Sequence, residues 1–137
     1  MIKIVYGPKG FGKTKIMLDE VNASVEKAKG NIVFITDKRF DTSKININVR
    51  CTYTEEHDIN NSQCFTGFVN GLMAGNSDIE YVFIDGLKRI IGEDLRGAKN
   101  LFRALRKLQK EYKQLKFIVS VSATKEQLPS YIARYVK

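Results

Sequence analysis

A short run of buried-strand type, Ile2-Lys3-Ile4-Val5-Tyr6, leads directly into Gly7-Pro8-Lys9-Gly10-Phe11-Gly12-Lys13-Thr14, and apolar residues at helical spacing follow, Ile16, Met17, Val21 and Ala28. A short strand, a glycine-rich turn and a helix in that order leave few folds open. The turn has the form G-x-x-x-x-G-K-[ST], in which glycines let successive backbone N–H groups face inward around a polyanion. The helix beginning at Gly12 or Lys13 aims its unpaired N–H groups and positive dipole end at the same point.

These residues read as a cradle for a triphosphate. Its binding residues are Gly7, Pro8, Lys9, Gly10, Phe11, Gly12, Lys13, Thr14 and the adjoining Lys15. Lys13 is expected to reach the β- and γ-phosphates. Thr14 offers a hydroxyl to magnesium, which prefers oxygen ligands.

Beyond this unit, strands are expected at 31–36, 81–84 and 117–121, where branched and aromatic residues run together. The stretch 41–61 alternates Ile45, Ile47, Val49, Cys51 and Tyr53 with polar residues, as a half-exposed strand does. A first helix over 13–29 is expected to stop at Gly30. A second, over 62–74, carries Phe65, Phe68, Val69, Leu72 and Met73 on one face and ends at Gly75-Asn76. A third, the longest, starts at Glu93-Asp94 and continues to about Leu115 through Leu101, Leu105, Leu108 and Tyr112. A short helix is expected over 125–128, broken at Pro129, and 131–136 reads as an edge strand. Strands alternating with helices imply right-handed parallel crossovers. The expected fold is a three-layer α/β/α sandwich with a mostly parallel sheet, one domain over 1–137.

Composition agrees: 137 residues, 43% hydrophobic and 28% charged, suit one folded domain. No apolar run approaches the roughly 18 residues needed to cross a bilayer. The amino terminus enters a strand with no leader-like stretch, so a cytoplasmic protein is expected. Cys51, His57 and Cys64 match no common metal spacing, and three ligands would leave a structural zinc incomplete.

Tyr81-Val82-Phe83-Ile84 runs into Asp85, which places a carboxylate at the carboxyl edge of the sheet. Beside the glycine-rich loop it is the natural second metal ligand, with Thr14. With both segments in place, the chain resembles a P-loop NTPase: Gly7 to Thr14 is a Walker A loop and Tyr81 to Asp85 resembles a Walker B strand. An intervening strand between them resembles the RecA-like and AAA-like branch. Over nearly its full length the chain is also similar to small bacterial P-loop proteins labelled twitching-motility ATPases, although a retraction motor is much longer.

The resemblance implies ATP and magnesium as ligands, with Lys13 and Asp85 in catalysis. It implies a strand-end polar residue that senses the γ-phosphate, for which Ser120, Ser122 and Thr124 are the candidates. The branch usually has a glutamate directly after the metal aspartate, but Gly86 stands there; Glu55 or Glu56 is the substitute, against the plainer alternative of two solvated loop acids. An arginine at the phosphates is expected from an oligomer neighbour or another partner. Slow or partner-stimulated hydrolysis follows from these departures. The alternatives are a nucleotide-dependent switch in which 37–61 changes shape for a partner, and phosphoryl transfer to a small molecule, for which no lid is evident.

The net charge of +8 gathers at 95–116, where Arg96, Lys99, Arg103, Arg106, Lys107, Lys110, Lys113 and Lys116 face Glu111 alone. At about 100° per residue Arg96, Lys99, Arg103, Arg106, Lys110 and Lys113 share one face. That face would meet nucleic acid phosphates, an acidic protein or a lipid surface, or be an ordinary solvated helix face. No aromatic residue interleaves with these cations to stack on bases.

Overall fold

The computed structural model describes residues 1–92 and 95–136, with Arg96 through its backbone alone. Five strands, β1 (Ile2–Gly7), β2 (Asn31–Thr36), β3 (Arg50–Tyr53), β4 (Ile79–Ile84) and β5 (Lys116–Ser122), form one sheet in the order β1-β5-β4-β2-β3. All neighbouring pairs are parallel. Parallel neighbours cannot be joined by a tight turn and need crossovers. On one face the covering helix is α1 (Lys13–Lys27); on the other lie α2 (Ser62–Gly75), α3 (Leu87–Ile91), α4 (Lys99–Glu111) and the short α5 (Ser130–Ala133). This is the three-layer α/β/α sandwich that the alternation of elements implies.

Burial on both faces explains the unbroken apolar runs. Val82 and Ile84 of β4 pack with Val33, Ile35, Phe117 and Val119 under α2 to α5. Tyr81 and Phe83, pointing the other way, pack with Ile32, Phe34 and Ile118 against Met17 and Val21 of α1. Each such buried side chain contributes about 1.5–3 kcal/mol over its exposed state. Among the described residues no helix is long and apolar enough to cross a membrane.

Four expectations are corrected. The alternating stretch after Asp41 is a strand only at Arg50–Tyr53. Upstream, side chains take over the backbone's hydrogen bonds: Asp41 accepts from the N–H of Ser43, Asn46 from that of Asn48, and Asn22 of α1 holds the N–H of Asn46 and the carbonyl of Lys44. Ile47 is 96% exposed, so the alternation breaks there, although Val49 and Tyr53 are buried and Ile45 and Cys51 pack against the core.

The long helix is shorter than expected. A 3-10 turn occupies Leu95–Ala98 and α4 begins only at Lys99; α3 is a separate short helix that ends before Gly92, which stands at φ 97°. It ends at Glu111, beyond which Tyr112 is extended and the N–H of Leu115 bonds to the Tyr112 carbonyl. Among the described helices α1 is longest, 15 residues against 13 for α4. Glu93-Asp94 lies outside the described residues.

The first helix stops at Lys27, with Ala28 extended and bonded to the Ser24 carbonyl, before Gly30 is reached. Gly30 serves a close approach instead: a Cβ there would lie 2.3 Å from the Asp78 carbonyl oxygen. Ile16, assigned to the buried face, is exposed, and Ser24 is buried with Met17 and Val21.

The tail is helical. The Pro129 carbonyl accepts from Ile132 and Ala133. Buried Ile132 and partly buried Tyr135, the latter stacked on Phe102, meet the core at the i,i+3 spacing that a helical turn provides.

Candidate functional site

Because all five strands are parallel, their carboxyl ends share one edge, where ligands of open α/β sheets bind. β1 ends at Gly7, the chain turns through Pro8 to Phe11, and α1 begins at Lys13 with Gly12 as its cap. Gly10 and Gly12 have φ of 84° and 79°, with nothing within 4 Å of an added Cβ. Left-handed backbone, rather than crowding, is what calls for glycine there.

The Lys13 side chain folds back over the loop, and its Nζ donates to the carbonyls of Gly7 (3.0 Å) and Pro8 (2.8 Å). Burial pushes its pKa down; nearby Asp85 opposes this and Arg89 adds to it.

Asp85, 3% exposed, follows the last residue of β4 and its N–H bonds to the Ile35 carbonyl of β2. Both carboxylate oxygens are engaged. Thr14 Oγ1 donates to Oδ2 at 3.1 Å, and Ser120 Oγ donates to Oδ1 at 2.8 Å while accepting from the Gly86 N–H at 2.7 Å. The register explains the meeting: Ile84 pairs with Val119, so Ser120 is the first β5 residue beyond the end of β4. A buried carboxylate without such donors would be strongly destabilising.

Two further charged groups complete the cluster. Asp37, directly after β2 and 8% exposed, accepts from the Thr36 hydroxyl at 3.2 Å and from Arg89 Nε at 3.2 Å. Burial works to raise its pKa, but the Arg89 hydrogen bond and charge, with backbone N–H groups, hold it below the ordinary value. Arg89 of α3 also brings Nη2 to 3.7 Å from Asp85 Oδ2. A cavity of about 340 Å³ opens here, lined by Thr14, Phe34, Asp37, Phe40, Asp85 and Arg89 among others. Two larger cavities, of about 680 and 720 Å³, contain no residue of the glycine-rich loop. The smaller one is therefore the relevant one.

A hydroxyl and a carboxylate oxygen 3.1 Å apart at the mouth of the loop are hard donors of the kind magnesium takes. Among the described residues no group of three or more His, Cys, Asp or Glu is arranged to hold a metal. One hydroxyl and one carboxylate oxygen are a donor pair that magnesium could take while keeping several of its waters.

The structure thus brings Lys13, Thr14, Asp85 and Ser120 together. Ser122 is at the border of the site, opposite Gly7 in the pairing of β1 with β5. Thr124 is taken up elsewhere, capping the 3-10 turn Lys125–Gln127 with Gln127. Lys9 and Phe11 are exposed, and Lys15 is exposed and pairs with Asp19 at 3.1 Å. Glu55 and Glu56 are exposed: Glu56 pairs with Arg39 at 2.6 Å and Glu55 lies 4.0 Å from Lys38, two cations that line the smaller cavity.

Asp37 and Arg89 escaped the sequence reading. Asp37 had a signal, the first acid after an apolar strand. Arg89 had only its position four residues beyond Asp85, which helical geometry turns into proximity.

On the opposite layer Lys99, Arg103, Arg106, Lys107 and Lys110 of α4 are exposed, and none has an ion-pair partner among the described residues. Lys113 follows the helix in a turn, and the side chain of Arg96 lies outside the described residues. A scan of protein-family models and a search of curated proteins found no match to this chain.

Proposed function

We propose that this chain is a nucleoside triphosphatase domain that binds ATP with magnesium at the carboxyl edge of the sheet and hydrolyses it slowly when alone. The observation that carries the reading is the Thr14–Asp85–Ser120 hydrogen-bonded chain, anchored beside the amino terminus of α1. Loop amides and Lys13 hold the phosphates, Lys13 exchanging the Gly7 and Pro8 carbonyls for phosphate oxygens. Thr14 and Asp85 supply the protein's magnesium ligands, and Ser120 keeps Asp85 oriented. Bound magnesium would neutralise charge developing on the phosphates.

The carboxylate that orients the attacking water is Asp37 in this reading. Asp37 itself lines the cavity with Thr14 and Asp85, whereas Glu55 and Glu56 stand one residue further out, beside the lining cations Lys38 and Arg39. A cytoplasmic setting, where ATP is plentiful, accompanies the proposal.

The test is nucleotide binding and turnover by the wild type, Lys13→Ala and Asp37→Asn. Lys13→Ala should weaken ATP binding at least about tenfold, a loss of ~1.4 kcal/mol. Asp37→Asn should retain binding and lose turnover. Undiminished binding by Lys13→Ala would remove the assignment.

A nucleotide-dependent switch is the second reading, favoured by the loop after β2. Ile47 projects into solvent at 96% exposure on a segment joined to α1 by the Asn22 hydrogen bonds and by the packing of Ile45 and Val49 in the cluster of Met17 and Val21. A partner reading that loop should distinguish the nucleotide-free from the nucleotide-bound form.

A further inference from the structure

We propose that Arg89 is an internal counter-ion that holds the metal position in the nucleotide-free protein and must leave Asp85 for magnesium to enter. The proposal rests on the assignment of Thr14 and Asp85 as magnesium ligands.

Its basis is one shared oxygen. Asp85 Oδ2 accepts the Thr14 hydroxyl at 3.1 Å and has Arg89 Nη2 at 3.7 Å. That oxygen is the one a cation between Thr14 and Asp85 would need. A guanidinium and a divalent ion repel each other at such separations, so the two do not share it.

Arg89 is also placed to give way. Its side chain is 44% exposed, whereas those of Asp37 and Asp85 are 11% and 5% exposed, so the cation covers two buried carboxylates from the solvent side. The Nε contact to Asp37 is separate from the Nη2 contact to Asp85, and can persist as a tether when the latter breaks. The cavity beside the guanidinium leaves room for the swing. α3 itself is only five residues long, between Gly86 and Gly92, both at positive φ.

Two consequences follow. In the nucleotide-free state Arg89 offsets the repulsion that Asp37 and Asp85 would otherwise exert on one another. Once displaced, and still anchored on Asp37, it leaves a positive group at the mouth of the phosphate loop. The chain then carries within itself the arginine that its sequence suggested a partner would bring.

The experiment titrates magnesium into protein mixed with a fluorescent ADP analogue, for the wild type, Arg89→Gln and Arg89→Lys. The readout is analogue binding, independent of turnover. Gln keeps a hydrogen bond within reach of Asp37 and removes the charge, so half-saturation should need about fivefold less magnesium, or lower still. Lys keeps the charge on a shorter reach and should shift the midpoint the same way by less, which preserves the test if Arg89→Gln does not fold. Without magnesium neither variant should bind the analogue more tightly than the wild type.

A midpoint unchanged or raised in folded variants overturns the counter-ion role while leaving the magnesium site standing. Analogue binding by the wild type that ignores magnesium altogether overturns both.

Discussion

Thr14 and Asp85, 71 residues apart in the chain, meet through a 3.1 Å hydrogen bond from Oγ1 to Oδ2. One belongs to the first turn of α1 and the other follows the end of β4, and β5 lies between β1 and β4. Thr14→Val keeps the shape and removes the donor. It should lower nucleotide-free stability by about 1 kcal/mol and abolish the magnesium dependence of nucleotide binding, whereas Thr14→Ser should retain both. Urea unfolding together with nucleotide titration at graded magnesium checks this.

Ser120 has a larger structural share. Its hydroxyl, 1% exposed, satisfies both the Gly86 N–H and Asp85 Oδ1. Ser120→Ala leaves a backbone donor without its acceptor and a buried carboxylate with one donor fewer. A loss of about 2–3 kcal/mol is expected by chemical denaturation.

The pH dependence follows from Asp37. The native carboxyl is held below its ordinary pKa by Arg89 despite burial. The unfolded chain therefore takes up this proton first as pH falls, so the stabilisation is complete above the ordinary carboxylate range and is lost as pH falls through the native value. Asp37→Asn should be less stable than the wild type by about 1–2 kcal/mol at pH 7. The gap should narrow below about pH 4. Thermal unfolding of both proteins from pH 7 to pH 3 measures it, and a gap that widens in acid would contradict the assignment.

The exposed cations of α4 make a separable prediction. If they track phosphates, Arg103→Ala with Arg106→Ala should weaken binding to duplex DNA and reduce the dependence of log affinity on log salt by about 2. Stability should change by no more than about 0.5 kcal/mol, because both side chains are exposed on the solvent face. DNA binding that the pair of substitutions leaves untouched would assign this face to solvent.

Much of the molecule was legible from short-range pattern. The strand, loop and helix at the amino terminus, the apolar runs of β2, β4 and β5, and the amphipathic α2 all follow from local periodicity and buried faces. Errors arose where polar side chains competed locally with the backbone, as Asp41, Asn46 and Asn22 do before β3, or where one apolar spacing suited two structures, as in the tail around Ile132. The late start of the long helix turned on the 3-10 turn at Leu95–Ala98, which an apolar pattern at helical spacing does not tell from an α-helix.

By itself the amino-acid sequence determined the glycine-rich loop between strand and helix, the aspartate at the end of an apolar strand, and the layered class of the fold, because each depends on residues close together in the chain. Only the tertiary structure decided which carboxylates keep company with that loop. Strand order put Ser120 beside Asp85, and β2 beside β4 brought Asp37 to the same edge, with Arg89 between the two acids. Glu55 and Glu56 were drawn instead to Arg39 and Lys38. Side-chain pairing across a sheet depends on register and burial summed over the whole molecule, and local spacing carries neither.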